Sequence, residues 1–246
     1  LEKRTDAARI VKGTDEFVAV RSSATAEDLP EASFAGQQAS FLNVRGKDNV
    51  VNAVRECWAS LFTARAIYYR KKNGFPTEKV LIAVVVQRMV NSAKSGVMFT
   101  INPSTNESTE IVIEGAFGLG EAVVSGAVNP DLYIVDKDSF RIKKVEKKEQ
   151  KFKIVRDPET GANVERRLQA DEEKLQVLTD REIDYLAKLG KKIEDHYRSP
   201  QDIEWAIEGD RIFIVQSRAV TTSKKSQRTS DIKAEGKIIL KGETAS

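Results

Sequence analysis

The sequence predicts an α+β protein in which mixed or antiparallel sheets are flanked by helices. Two stretches, residues 49–69 and 179–197, repeat apolar residues at helical spacing and predict amphipathic helices. Residues 80–145 contain short runs rich in β-branched residues, which are typical of strands. Residues 202–218 alternate apolar and polar positions around a Glu-Gly-Asp turn, which predicts a β-hairpin.

The remaining elements follow in chain order. Residues 17–20 read as a short buried strand, and residues 31–44 as a second strand entered by a loop. Residues 80–90 are nearly all branched and apolar, which predicts a central strand covered on both faces. Residues 143–153 mix Lys and Glu with few apolar positions and predict an exposed edge ribbon.

Composition excludes several classes of function. The 246 residues carry 40 Lys and Arg against 37 Asp and Glu, so no strong field for nucleic acid or an anionic membrane is expected. Cys57 is the only cysteine, which excludes an internal disulfide and fits a reducing compartment. No run of about 18 apolar residues and no signal peptide is present, so a cytoplasmic location is expected. The first residue is Leu1, and we interpret the chain as an excised piece.

The predicted hairpin collects polar groups at one end. Asp202 and Glu204 share a face of the first strand, and Gln216 and Arg218 share a face of the second, because strand side chains alternate with period two. Oxygen ligands beside a guanidinium suit a hard divalent cation next to phosphate groups. The alternative is a hairpin whose solvent face happens to carry charges.

Two loops could approach an anion. Residues 21–28 place Arg21 at the end of a strand before small and hydroxyl-bearing residues, although a strand end capped by a Ser/Thr turn is the simpler interpretation of these residues alone. Residues 114–121 hold three glycines between Glu114 and Glu121, but the spacing is not the dinucleotide fingerprint. A tight strand-to-helix turn is the simpler interpretation, and a mobile loop near a metal or phosphates is the alternative. His196, the sole histidine, fits a partly buried helix end better than a catalytic role.

Four blocks in one order carry a resemblance to a known family. They are VRSSATAEDLPEASFAGQ (residues 20–37), VVVQRMV and SGVMFTINP (84–103), IEGAFGLGEAVVSGAVNPD (113–131), and SPQDIEWAI with IFIVQSR (199–218). Together they resemble the nucleotide-binding domain of the phosphoenolpyruvate synthase (pyruvate, water dikinase) family. The resemblance implies an ATP-grasp-like fold of two α+β lobes gripping ATP, here incomplete.

The resemblance also implies roles for individual residues. Arg21 and Arg218 would contact phosphates and act as catalytic groups, and Ser40 would lie over the phosphates. Gln87, with the backbone of Met89 and Val90, would meet the adenine. The implied ATP-binding set is Arg21, Ser40, Gln87, Met89, Val90, Glu204, Gln216 and Arg218. The implied Mg²⁺ ligands are Glu204 and Gln216, with Asp202 nearby.

The departures from the family limit what is expected of this chain. No Gly-Gly-Lys stretch supplies the phosphate-facing lysine, and no phosphohistidine motif is present. We expect a partial ATP-binding domain at residues 1–222, a linker at 223–235 and the start of a swivelling phosphohistidine domain at 236–246. Pyruvate would bind only through domains absent here, and the isolated chain is expected to be inactive. A rifamycin-type phosphotransferase, a pyruvate phosphate dikinase and a non-catalytic nucleotide-binding module remain alternatives.

Overall fold

The predicted α+β class is confirmed. The structure, a computed structural model, describes residues 16–24, 28–29, 32–33, 40–72 and 81–220. The described helices are α1 (Lys47–Ser60), α2 (Ala64–Lys72), α3 (Glu121–Val124) and α4 (Asp180–Tyr197). The described strands are β1 (Val18–Ala24), β2 (Asp28–Leu29), β3 (Ala32–Ser33), β4 (Ser40–Val44), β5 (Ile82–Arg88), β6 (Lys94–Phe99), β7 (Glu110–Phe117), β8 (Asp131–Asp136), β9 (Ile142–Glu146), β10 (Phe152–Arg156), β11 (Asn163–Arg167), β12 (Gln201–Glu208) and β13 (Arg211–Ala219).

The larger sheet has six antiparallel strands in the order β13-β12-β6-β7-β8-β9. One face carries the main core, where Met98, Ile113 and Tyr133 are fully buried beneath α4. Trp205 also lies on this face, and its indole ring passes over Gly96 and Gly115. A side chain at Gly96 would clash with both the indole and the Glu114 carbonyl oxygen, so these glycines allow the ring to lie against the sheet.

The smaller sheet has three antiparallel strands in the order β4-β1-β5. Val18, Val20 and Cys57 form a second core between this sheet and α1. Because strand side chains alternate, Ala19 and Arg21 point away from that core. Two short ribbons complete the described strands, one formed by β2 and β3 and the other by β10 and β11.

Several predicted elements differ from the structure. The single helix predicted at 49–69 is two helices, because the chain turns at residues 61–63, where the Thr63 hydroxyl accepts a hydrogen bond from the Ala66 N–H. The predicted central strand at 80–90 is wrong: among the described strands β5 lies at the sheet edge, and Val85 is 47% exposed. The predicted ribbon at 143–153 is divided between β9, at the edge of the larger sheet, and β10, in its own ribbon.

Other predictions fall wholly or partly outside the described residues. Residues 34–39 of the strand and loop predicted at 31–44, the linker at 223–235 and the domain start at 236–246 are among them. Within the described part of the chain, no helix is long and apolar enough to cross a membrane.

Candidate functional site

A cavity of about 570 Å³ opens between the two sheets. Its volume lies within the range of small-molecule and cofactor sites. The smaller sheet, the segment after β5, the turn before α3 and the β12–β13 hairpin all contribute to its walls. The cavity is therefore built from segments far apart in sequence, as expected of a ligand cleft between two lobes.

The hairpin forms as the sequence predicts. Glu208 pairs with Arg211 across a two-residue turn. Gly209 has a φ of +58°, and two-residue hairpin turns require a positive φ at this position. Asp202 lies opposite Arg218 and Glu204 lies opposite Gln216. Residues directly opposite each other in an antiparallel pair point to the same face, so the four polar side chains share one face.

A β-bulge interrupts the hairpin next to these residues. Glu204 pairs with Gln216 but Trp205 pairs with Ile214, which leaves Val215 as the extra residue on β13. The Val215 carbonyl accepts a hydrogen bond of 3.2 Å from the Gln87 side-chain amide. Ile214 and Val215 both line the cavity, so the bulge joins the hairpin to β5 at the cavity wall.

Arg21 crosses the cavity from the smaller sheet to the hairpin. Its Nη2 donates a hydrogen bond to Gln216 Oε1 and lies 3.7 Å from Glu204 Oε2. Both charged side chains are about a quarter exposed, at 25% and 28%. The three residues predicted for phosphate and metal binding are thus brought together.

Asp202 and Arg218 form a separate pair one step along the hairpin. Arg218 Nε and Nη2 lie 2.8 and 2.7 Å from the same Asp202 oxygen. Neither residue lines the cavity, and Gln216 is also absent from its lining. The structure therefore divides the predicted polar set into a group at the cavity, made by Arg21, Glu204 and Gln216, and a neighbouring ion pair.

The register of the smaller sheet places the other predicted residues. Ser40 lies directly opposite Arg21 on β4, and Gln87 lies opposite Ala19 on β5, so all of these point to the cavity face. Met89 and Val90 line the cavity just after β5. The Met89 N–H donates to the Phe17 carbonyl, so the Met89 carbonyl and the Val90 backbone are the groups that a base could meet here.

The glycine-rich segment forms one wall of the cavity. Residues 115–117 belong to β7, and only residues 118–120 make the turn into α3. The Gly118 carbonyl accepts hydrogen bonds from the hydroxyls of Ser92 and Ser95, at 3.0 and 2.8 Å. Leu119, Gly120 and Glu121 line the cavity, so the tight strand-to-helix turn is the correct interpretation and also belongs to the site.

Sequence reasoning missed a polar bridge beside the cavity. Asn43 Nδ2 donates to Asn163 Oδ1 at 2.7 Å, and Asn163 Nδ2 donates to Glu121 Oε2. Asn163 and Glu121 line the main cavity, and with Asn43 they line an adjoining one of about 500 Å³. No local pattern marks these residues, since they come from β4, β11 and α3.

The cavity has mainly apolar walls with polar groups among them. Leu42, Val124 and Phe213 supply apolar surface, and Arg21, Ser40 and Glu204 form one polar group. Further polar side chains on the lining are Gln87, Glu121 and Asn163. Such a division suits a ligand with a flat apolar ring and a charged tail.

The charge pattern on this face of the larger sheet extends beyond the cavity. By register, Glu204, Val97 and Glu114 point to the same face. Burial raises the pKa of the Glu114 carboxyl above its usual range. Glu114 does not line the cavity, so it lies beside the polar group without belonging to it.

The donor atoms fit a divalent cation only in part. Glu204 and Gln216 offer a carboxylate and an amide oxygen from paired positions, and Mg²⁺ commonly takes one or two protein ligands beside substrate phosphates. Among the residues described, no group of three or more His, Cys, Asp or Glu side chains could hold a metal ion. The residues therefore suit a cation that shares its ligands with a phosphate chain.

His196 takes no part in this arrangement. It lies in the last turn of α4, where its ring contacts Tyr197 edge-on with centroids 4.9 Å apart. The expected partial burial is wrong, because the residue is exposed.

Fold and cavity together define a two-lobed α+β module with a nucleotide-sized cleft. Residues 3–237 match the model of the pyruvate phosphate dikinase AMP/ATP-binding domain, and the chain belongs to this family.

Similarity to curated relatives supports the assignment to this family. A probable phosphoenolpyruvate synthase of Archaeoglobus fulgidus is 54% identical over 239 residues, which cover 96% of this chain and 31% of the relative. The phosphoenolpyruvate synthase of Pyrococcus furiosus is also 54% identical, over 94% of this chain and 29% of its own length. The rifampicin phosphotransferase of Bacillus cereus is 47% identical over 85% of this chain and 24% of its length. The chain thus spans about a third or less of these relatives.

Proposed function

We propose that this chain is the ATP-binding part of a phosphoenolpyruvate synthase. The observation that carries the proposal is the convergence of Arg21, Glu204 and Gln216 at a cavity whose walls are mainly apolar. The family match and the 54% identity to phosphoenolpyruvate synthases support it. We place the adenine at the segment of Gln87, Met89 and Val90 and the phosphates at Arg21 and Ser40.

Positioning and charge neutralisation are the tasks of this site, because phosphoryl transfer needs little covalent help from side chains. Arg21 and Arg218 neutralise phosphate oxygens as charge redistributes in the transition state. Glu204 and Gln216, with Asp202 nearby, would hold Mg²⁺, which supplies further charge neutralisation when bound. Gln87 has its amide nitrogen on Val215, so it meets the base with its oxygen or holds the hairpin against β5.

In the whole protein we propose the conversion of pyruvate, ATP and water into phosphoenolpyruvate, AMP and phosphate through a phosphohistidine. The carrier histidine and the pyruvate site would lie in parts outside these residues. Residues 1–222 would form the ATP-binding domain, 223–235 a linker and 236–246 the start of the swivelling domain, with a cytoplasmic location. The family match ends at residue 237, which is close to the last of these boundaries.

A second candidate is the ATP-binding part of a rifampicin phosphotransferase. The 47% identity to the Bacillus cereus protein favours it over a module without catalysis. The two enzymes would share this ATP site and differ in the acceptor. An experiment that supplies the histidine-bearing domains of each enzyme and follows isotopic label from ATP to the acceptor would distinguish the two candidates.

Titration of the 246-residue chain with ATP and Mg²⁺ by calorimetry tests the proposal. Glu204→Gln should weaken binding by about tenfold or more, because it removes the proposed carboxylate ligand of the Mg²⁺ that binds together with ATP. Glu208→Gln is the matched control, since Glu208 lies on the same strand but does not line the cavity. Absence of ATP binding to the wild-type chain, or equal loss in both variants, would refute the proposed site.

A further inference from the structure

The groups proposed for phosphate and metal binding are already bound to each other. Arg21 donates to Gln216 Oε1 and lies 3.7 Å from Glu204 Oε2. These are the oxygen atoms of the side chains that would hold a cation. The Arg21 guanidinium therefore already interacts with the two oxygen atoms that a cation would use as ligands.

The second carboxylate at this end of the hairpin is also neutralised. Asp202 is held by Arg218 at 2.7 and 2.8 Å through two guanidinium nitrogens. Each acidic side chain of the predicted cation site thus has an arginine beside it, and the charges of the two pairs cancel. A divalent cation arriving alone would find no unneutralised carboxylate among these residues.

We propose that Arg21 is a resident counter-ion that competes with the divalent cation for Glu204 and Gln216. The inference rests on the proposed function and adds an order of events to it. The cation binds tightly only together with a phosphate chain, because the phosphates offer Arg21 new acceptors and draw it off the carboxylate. Nucleotide and cation therefore bind with strong positive coupling, which must be reciprocal.

The fold explains why Arg21 can make this exchange. Its backbone is held between Ser40 on β4 and Val85 on β5, so the strand itself does not move freely. Only the long side chain spans the cavity to the hairpin. It needs a change of rotamer, rather than a shift of the sheet, to move from Glu204 to a phosphate in the same cavity.

Binding of Mn²⁺ alone, measured from the electron paramagnetic resonance signal of the free ion, tests the competition without nucleotide or activity. Arg21→Met should bind Mn²⁺ roughly tenfold to a hundredfold more tightly than wild type. This range corresponds to removing one charge-assisted contact, that of Arg21 with Glu204, which the ion must otherwise displace. The double variant Arg21→Met/Glu204→Gln should lose this gain. Arg65→Met removes an exposed arginine of α2 outside the cavity lining and should bind like wild type.

An unchanged or weaker Mn²⁺ affinity in Arg21→Met would overturn the proposal, and so would a gain that persists in the double variant. A second measurement uses only the wild-type chain, so a folding defect in the variant cannot affect its result. ATP added with a chelator should shift the side-chain amide resonance of Gln216, whereas Mg²⁺ alone should not. The reverse pattern would also overturn the proposal. Wild-type binding of ATP with Mg²⁺ separates the two failures: its absence rejects the site itself, and its presence without the Arg21 effects rejects only the competition.

Discussion

Replacing Gly118 with alanine tests whether the turn before α3 holds the cavity wall in place. Gly118 has a φ of +86°, and a Cβ built on it would lie 2.3 Å from the Ile154 carbonyl oxygen. Gly126 offers a matched control, because its φ is +72° and no atom of the described residues lies within 4 Å of the added Cβ. The two substitutions share the backbone strain and differ in the clash.

The expected magnitudes follow from these geometries. An alanine in the left-handed region is disfavoured by about 1–2 kcal/mol, partly offset by the lower entropy of the unfolded chain, so Gly126→Ala should destabilise by about 1 kcal/mol. In Gly118→Ala the turn must also move away from β10. That movement breaks the 2.8 Å bond from the Leu119 N–H to the Ile154 carbonyl and strains the serine contacts to the Gly118 carbonyl. With about 1–3 kcal/mol for each lost buried bond, we expect a total of about 3–5 kcal/mol.

Urea unfolding gives both free energies, provided that the slopes of the two variants agree with that of wild type. ATP affinity at a temperature where both variants are folded gives a second readout, and it should fall in Gly118→Ala because Leu119 and Gly120 line the cavity. A destabilisation of Gly118→Ala within about 1 kcal/mol of Gly126→Ala would refute the argument. Such a result would mean that β10 can shift away from the added methyl group with little loss of folding free energy.

Two further substitutions test contacts that support the larger sheet. Glu182 accepts hydrogen bonds from Lys94 and Thr179, and although burial opposes them, these bonds lower its pKa. Glu182→Gln should therefore lose about 1 kcal/mol of stability near pH 7 and nothing once the pH falls below the folded-state pKa, whereas equal losses at both pH values would contradict the linkage. Buried Asp131 accepts bonds from two backbone N–H groups and from Tyr133. Asp131→Asn should cost about 2–4 kcal/mol in urea unfolding because an N–H donor is left unpaired, while exposed Asp138→Asn should be neutral.

The hairpin could be predicted because its signals are local. Alternation with period two fixes which side chains share a face, and the Gly209 turn fixes the register. Continued to Glu204, this register would place Val215 opposite it, and Gln216 would point to the other face. The bulge at Val215 brings Gln216 opposite Glu204 instead. The bulge could not be predicted, because the side chain that contacts it is Gln87, 128 residues away in the chain.

The position of β5 could not be predicted from its composition. A run of branched apolar residues is typical of a strand covered on both faces, but here Val84 and Val86 pack on the second core while Val85 is about half exposed. Residue preference for strands does not distinguish a central strand from an edge strand, because burial is decided by the neighbouring elements. The Asn43–Asn163–Glu121 bridge could not be predicted for a similar reason, because no local pattern marks any of these residues in its own segment.

The contacts across the cavity differ in kind from those within the lobes. Each sheet has its own apolar core, one beneath α4 and one beneath α1, and none of the described residues belongs to both. Several side-chain contacts between the lobes are polar, such as Arg21 with Gln216, Gln87 with Val215 and Asn43 with Asn163. Polar contacts can exchange partners with a ligand or with water at little net free energy, whereas opening an apolar core exposes its surface. On the proposed function, nucleotide binding rearranges the cleft while both cores stay intact, and Arg21 is the contact that the phosphates would draw away most directly.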